Sequence, residues 1–390
     1  MPAGETDRLR LLPAEQQPPW PDPEILAKAR GELADRPPLV PAREIVALRA
    51  LLADVAQGQA LVVQAGDCAE KPSEPTWDVV ARKAGLIDCL AGVLQANSGR
   101  PVVRVGRIAG QYAKPRSQPV ERRDGHELPA YRGPLVNGPA FDPVARLPDP
   151  LRMLDCHDAA ATVLDHLGER RDEWPGGGRI WTSHEALALD YELPQLRRDA
   201  YNRTFLTSTH WPWIGERTRQ PDGAHVALLA SVANPVACKV GPAATPAELV
   251  ELCARLDPHR QPGRLTLIAR LGADAVAERL PPLVAAVRAA GHPVIWLCDP
   301  MHGNTYTDGD GRKTRAVTAL VREVRGFRAA VDAEGGTAGG LHLEATPDPV
   351  EECVLDESRP LAPDAVSTTL CDPRLNLQQA IAVADSWPGQ

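Results

Sequence analysis

The chain has 390 residues, 43% hydrophobic and 24% charged, which is ordinary globular composition and ample length for a large core. Its net charge of −8 argues against general nucleic-acid binding, and no basic run interleaved with aromatics appears. Aromatics are only 4%, so aliphatic residues carry the packing, and 39 prolines predict long ordered loops.

The first residues carry no apolar core of a signal peptide, and no apolar stretch approaches the roughly 20 residues that span a bilayer. The expectation is a soluble cytoplasmic protein with no membrane partner. Cysteines 68, 89, 156, 238, 253, 298, 353 and 371 are scattered without a CxxC pair, so they read as reduced, mostly buried thiols.

Residues 1–20 are polar and proline-rich and read as an arm on the surface or on a partner subunit. From 23 to 58 the pattern turns helical, with Ile45, Leu48, Leu51, Leu52 and Val55 on one face. Short apolar, β-prone runs then recur at 60–64, 101–105, 179–183, 204–208, 236–240, 265–270, 294–298 and 340–344. Helical spacing fills most of the intervals, near 77–96, 155–168, 245–256, 273–290 and 314–333. A proline-rich loop, 114–150, follows the second run, and loops of that length are usually functional. Eight strands alternating with helices predict a (β/α)8 TIM barrel, an α/β fold with a core of about 250 residues. The predicted division is an N-terminal arm with helices over 1–59 and a barrel catalytic domain over 60–390, with no internal repeat. The Gly335–Gly340 run precedes a strand instead of following one, so it reads as a helix stop and tight turn, not a dinucleotide fingerprint. No G-x-S-x-G elbow is present.

Polar groups gather at the C-terminal ends of these strands, where barrels build active sites. The run 294–298 breaks at Asp299-Pro300 and is followed by His302, with Asp299 as a carboxylate neighbour for the imidazole. Cys68, His302, Glu344 and Asp372 are the metal-ligand candidates. A mixed thiolate, imidazole and carboxylate set suits Mn2+, Co2+, Fe2+ or Zn2+ better than Mg2+ or Ca2+. Arg107, Arg217, Lys239 and Arg270 form a second set. Cations at the ends of apolar strands, turned into a barrel mouth, make a pocket for phosphate and carboxylate groups. Lys114, Arg116 and Ser117 on the long loop add a second phosphate site. The alternatives at this point are a buried structural thiol, ordinary loop carboxylates and unrelated snorkelling cations.

Several longer motifs narrow the choice: Gly66-Asp67-Cys68-Ala69-Glu70, Gly106-Arg107-Ile108-Ala109-Gly110-Gln111-Tyr112-Ala113-Lys114-Pro115-Arg116-Ser117 and Thr182-Ser183-His184-Glu185-Ala186-Leu187. Further along come Trp213-Ile214-Gly215-Glu216-Arg217-Thr218-Arg219, Lys239-Val240-Gly241-Pro242, Cys298-Asp299-Pro300-Met301-His302-Gly303-Asn304-Thr305 and Cys371-Asp372-Pro373-Arg374-Leu375-Asn376. In this order they resemble class II (plant-type) 3-deoxy-D-arabino-heptulosonate 7-phosphate (DAHP) synthases. The resemblance implies a transferase that condenses phosphoenolpyruvate with erythrose 4-phosphate and releases phosphate. This is the entry to the shikimate pathway and aromatic amino acid biosynthesis, or to secondary metabolism. It implies a divalent metal, Mn2+ foremost, on Cys68, His302, Glu344 and Asp372. Arg107, Glu216, Arg217, Lys239 and Arg270 would line the phosphoenolpyruvate site, and Lys114, Arg116 and Ser117 would meet the aldose phosphate. Glu216, Lys239 and His302 are the catalytic candidates, Glu216 for positioning water. A homodimer or higher homo-oligomer is expected.

There are departures. Ala65 stands where the family usually has Gly, the 71–75 stretch is unlike the usual continuation, and the insertions that carry effector sites in long members are missing. An amino-DAHP synthase of an antibiotic pathway and a catalytically silent barrel acting as a binding partner are the competing readings. Finally, Cys371 directly precedes Asp372. If Asp372 and Cys68 hold one metal, the two cysteines come close, and a metal-free chain is expected to bridge them.

Overall fold

The computed structural model describes residues 3–173 and 178–389. Eight parallel strands close into a barrel: β1 (Leu61–Gly66), β2 (Val102–Arg107), β3 (Ile180–Glu185), β4 (Trp211–Ile214), β5 (Val236–Val240), β6 (Leu265–Ala269), β7 (Ile295–Cys298) and β8 (Thr337–Glu344). Each pairs with its neighbours in sequence, and β8 closes on β1 through Val62↔Gly340 to Gly66↔Glu344. Among the helices are α1 (Ala3–Arg10), α2 (Pro23–Asp35), α3 (Ala42–Ala56), α4 (Trp77–Ser98), α5 (Arg152–Glu173), α6 (Leu189–Glu192), α7 (Ala224–Ser231), α8 (Pro246–Leu256), α9 (Val276–Ala289), α10 (Val317–Ala333) and α11 (Leu377–Asp385). This is the predicted (β/α)8 architecture.

Side chains on a strand alternate between faces, so each barrel strand feeds two cores. Leu61, Val63 and Ala65 join the layer between barrel and helices, with Leu86, Leu90, Leu252, Leu320 and Phe327. Val62, Val103, Val105, Trp181, Trp211, Trp213, Ile268, Ile295 and Leu297 fill the inside. The apolar face of α3, Leu48, Leu52 and Val55, packs into that inner cluster and closes the N-terminal end of the barrel. The apolar filling thus occupies one end, and the in-phase positions at the other end are left to polar groups.

Two expectations fail in detail. Residues Thr204–Leu206 pair antiparallel with Leu196–Arg198 in a side hairpin, and the fourth barrel strand is Trp211–Ile214. A proline inside a run argues against a central strand. Pro212 is tolerated because the ladder to β5 begins one residue later, at Trp213↔Ala237. The glycine run is only partly a turn. Gly335, at φ +64, follows α10, but Gly339 and Gly340 lie within β8. Gly340 has φ +137, and a Cβ there would sit 1.9 Å from the Val62 carbonyl oxygen, beside the register shift between Trp296 and Leu297. The glycine therefore serves a strand irregularity and a close backbone approach.

The N-terminal arm lies on its own barrel. Leu9 is buried in the main core, the Pro13 carbonyl accepts from Ala224 N–H, and Trp20 Nε1 donates to Asp190 at 2.8 Å. Among the described residues, no helix is long and apolar enough to cross a membrane.

Candidate active site

The in-phase residues at the strand ends converge on one cleft. Its lining includes Arg107 of β2, Glu185 of β3, Trp213 of β4, Lys239 of β5 and, just past their strands, Arg270 and His302. Gln111, Lys114, Pro115, Gly215, Glu216, Arg217 and Asp372 complete it.

Among the described residues, ligand atoms of His302, Glu344 and Asp372 lie within 4.8 Å of one another. His302 Nε2 is 3.3 Å from Glu344 Oε1, and His302 Nδ1 is 2.7 Å from Asp299 Oδ2. Asp299 Oδ1 also accepts from the N–H groups of Met301 and His302. A buried carboxylate that takes Nδ1–H leaves Nε2 free for a metal. Glu344, buried, is held well below the usual carboxylate range: burial opposes its charge, and His302, Lys114, Arg315 and Arg107 outweigh that. Asp372 is brought down to about 2, with Lys114 overcoming burial. Two ionised carboxylates and an oriented imidazole fit a divalent ion.

Cys68 stands beside this trio, not in it. Its Sγ is 3.2 Å from Thr369 Oγ1, and the Cys371 thiol bonds to it. That bond, with Lys114 nearby, brings the Cys68 thiol down to about 6 despite burial, while Cys371 is pushed well above its usual range. The two cysteines do come together, as thiols. A buried ion-pair set holds the loop there: Arg374 reaches Asp67 at 2.7 Å and Glu352 at 2.8 Å.

The cations form a linked array. Arg107, 2% exposed, donates to Glu344 Oε1 at 3.0 Å and bonds His342 Nε2 at 2.6 Å. Lys239 pairs with Asp299 and lies 3.0 Å from His342 Nε2. Burial lowers Lys239 to about 8, against the pull of Asp299. Lys114 approaches Glu344 at 3.5 Å and Asp372 at 3.8 Å; these carboxylates offset its burial and raise it. Arg270 Nη2 donates to the His302 carbonyl at 2.6 Å, and Arg217 is exposed at the mouth. Glu216 lines the cleft, but its oxygens accept from Gly241 N–H and Arg219.

Arg116 and Ser117 do not enter this cleft. Arg116 pairs with Glu121 at 2.9 Å and lines a neighbouring cationic depression with Arg122, Arg123 and Lys313; Ser117 is exposed. The reason is local: Arg116 N–H is tied to Gln16 Oε1 of the N-terminal arm, which turns this end of the loop outward from Lys114.

The description "Class-II DAHP synthetase family" matches residues 4–172 and 169–386 of this chain. The chain belongs to that family. A protein named "Probable phospho-2-dehydro-3-deoxyheptonate aldolase" from Pseudomonas fluorescens is 54% identical over 383 residues, covering 97% of this chain and 96% of that one. A phospho-2-dehydro-3-deoxyheptonate aldolase of Streptomyces coelicolor is 40% identical over 432 residues, covering 98% and 96%. The solved structure of a phospho-2-dehydro-3-deoxyheptonate aldolase from Francisella tularensis superposes with a TM-score of 0.53 at 12% identity, covering 93% and 94%; that likeness speaks for the fold alone.

In this class-II DAHP synthetase chain, one further group lines the cleft, Glu185, and two more, Glu70 and His342, support it from behind. Glu185 is half-buried at the cleft wall, its Oε1 is sealed from solvent without a hydrogen bond, and desolvation raises its carboxyl although Lys114 and Lys239 face it. The signal was phase: Glu185 falls in step with Trp181 and Ser183 once β3 is carried to 185. Glu70 accepts from the N–H groups of Ala109, Gly110 and Gln111 and so shapes the loop after β2. His342 bonds Gln64 through Nδ1 at 2.6 Å, and Gln64 donates to Ser183 at 2.9 Å. This chain crosses the barrel beneath Lys239 and Arg107.

Proposed function

We propose that the cleft condenses phosphoenolpyruvate with erythrose 4-phosphate to give DAHP and inorganic phosphate, the entry step of the shikimate pathway. The observation that carries this reading is one cavity lined by Arg107, Lys239 and Arg270 beside the clustered ligand atoms of His302, Glu344 and Asp372. The cations suit the phosphate and carboxylate of phosphoenolpyruvate. The nitrogen and oxygen ligands, with Cys68 beside them, suit Mn2+ foremost, then Co2+, Fe2+ or Zn2+. A divalent ion there would polarise the aldehyde oxygen as a Lewis acid.

The chain's own residues do the rest. Lys239 and Arg270 orient phosphoenolpyruvate so that its C3 faces the aldehyde carbon, and holding two reactants in register removes much of the entropic barrier. The C2=C3 electrons form the new carbon–carbon bond, and the aldehyde oxygen takes a proton. Water adds at the electron-poor C2 and loses a proton. The C2–O bond to phosphate then breaks, leaving the ketone. Lys114, between Glu344 and Asp372, faces the aldose end. Glu185, with its buried unbonded oxygen and raised carboxyl, is better placed than Glu216 to hold the proton of the attacking water.

Phosphate release from phosphoenolpyruvate, followed with and without erythrose 4-phosphate before and after chelation, tests the reading. Turnover that needs both substrates, disappears on chelation and returns with Mn2+ or Co2+ is expected. Release without the aldose, or full activity in the chelated chain, overturns it.

A further inference from the structure

We propose that Glu323, on α10, is a positioning residue that locks the loops after β6 and β7 to each other. It thereby sets Arg270 toward phosphoenolpyruvate and His302 toward the metal. The proposal deepens the functional reading above and rests on it for the roles of Arg270 and His302.

Glu323 is 1% exposed and lies outside the cleft. Its Oε1 accepts from the backbone N–H of Leu271 at 3.0 Å and of Gly272 at 2.9 Å. Its Oε2 accepts from Asn304 Nδ2 at 2.5 Å. One side chain therefore holds the residues directly after Arg270 and the residue two beyond His302. Asn304 cannot turn its amide over. Its Oδ1 accepts from Ala273 N–H at 3.0 Å and its Nδ2 also donates to the Pro300 carbonyl at 2.7 Å.

The two loops also meet backbone to backbone. Gly272 has φ +89, and a Cβ on Gly303 would lie 2.3 Å from the Gly272 nitrogen. Arg270 closes the unit by donating to the His302 carbonyl at 2.6 Å. All three partners of Glu323 are N–H donors, so the site calls for acceptors on both oxygens, which an ionised carboxylate supplies. Burial works against that charge and pushes the carboxyl up to about 7. A carboxylate kept there at such a cost is expected where its geometry is needed. Small misplacements of substrate and metal groups cost large factors in affinity and rate.

Glu323→Gln keeps the size and the acceptor for Leu271 and Gly272, but turns an NH2 toward Asn304 Nδ2, donor to donor. Mn2+ titration without substrates and phosphoenolpyruvate calorimetry read the two loops directly. Both affinities are expected to fall about tenfold or more, as when an outer partner of a metal ligand is lost. With Mn2+ saturating, the KM for erythrose 4-phosphate, whose phosphate-side loop Glu323 does not touch, shifts less than either affinity. Glu323→Gln combined with Asn304→Asp restores a donor–acceptor pair between the two side chains, gives up the bond to the Pro300 carbonyl, and is expected to recover part of both affinities. Should the single variant fail to fold, Asn304→Ala reads the same link from the loop side. Wild-type affinities in a folded Glu323→Gln chain overturn the proposal. So does an equal loss in all three parameters with no recovery in the double variant. A wild-type chain that binds Mn2+ and phosphoenolpyruvate but does not condense it with the aldose overturns the reaction instead, and the clamp is still decided by the two affinities.

Discussion

Asp299 joins the two halves of the candidate chemistry, because its buried carboxylate pairs with Lys239 and with His302 Nδ1. Substitutions at the cations therefore differ in kind. Arg270→Ala removes one charge-assisted contact to substrate, worth about 1.5–3 kcal/mol, so phosphoenolpyruvate affinity falls about ten- to a hundredfold, and it also drops a bond to the His302 carbonyl but leaves no buried charge unpaired. Lys239→Ala does that and also strips a partner from buried Asp299, so it is expected to lose metal affinity as well. Binding calorimetry for both ligands checks this; unchanged phosphoenolpyruvate affinity in both variants would show the pocket to be misassigned. At the cysteine pair, the Cys68 thiol, brought down to about 6, lies against Cys371. Mild oxidation of the metal-free chain is expected to give a Cys68–Cys371 peptide, and Mn2+ to suppress it by drawing the neighbouring Cys68 thiolate onto the ion, where it cannot attack. Peptide mapping that finds Cys68 unpaired, or paired equally with Mn2+ present, contradicts this. The residues legible in the sequence were those whose charge stands out at a strand end, such as Arg107, Lys239, His302 and Glu344. Glu185 does not stand out in the sequence, because the apolar run of β3 stops at 183 while the strand continues to 185. Glu323 could not be seen, because its partners lie 19 to 52 residues away and its own helix shows only an amphipathic pattern.

The elements owe their site to phase. Positions alternate along each strand, so the interior residues run from Val103 and Val105 to Arg107, or from Ile295 and Leu297 to Asp299. Eight short apolar runs separated by helical spacing made the barrel readable. The fourth strand was misplaced because Thr204–Leu206 has the better β composition while Trp211–Ile214 contains a proline. Pairing with a neighbour, not composition, decides which run joins the sheet. The helices and loops around the barrel also predict how the fold responds to acid. Burial brings His157 of α5 down to about 4, and holds His210, before β4, and His225 of α7 below the ordinary 6.5. These imidazoles stay neutral when folded but take up protons when unfolded, so stability is lost as pH falls below 6.5. Glu44, held to about 2 first by its bond to His210, acts in the same direction: its contribution is present above 4.5 and is lost as pH falls toward 2. The urea midpoint is expected to drop steadily from about pH 7 to about pH 5. A flat midpoint over that range would contradict the burial of these histidines.

At the scale of the molecule, the chain is a barrel sealed at one end by α3 and crossed at the other by its own N-terminal arm, where Gln16 ties down Arg116. The arm was legible as polar chain, but not its destination, because its contacts reach residues about a hundred positions and more away. The Streptomyces coelicolor alignment runs over 432 residues against a chain of 390, so that relative carries stretches this chain lacks. The Pseudomonas fluorescens alignment, over 383 residues, needs no such allowance. The proposed condensation in this cleft joins the three carbons of phosphoenolpyruvate to the aldose and cleaves the C2–O bond. Mass analysis of the products from uniformly 13C-labelled phosphoenolpyruvate and unlabelled erythrose 4-phosphate in 18O water, with Mn2+ supplied, tests it most directly. A seven-carbon product carrying three labelled carbons, with released phosphate free of 18O, is expected. Label confined to a three-carbon product, or 18O in the phosphate, would contradict it.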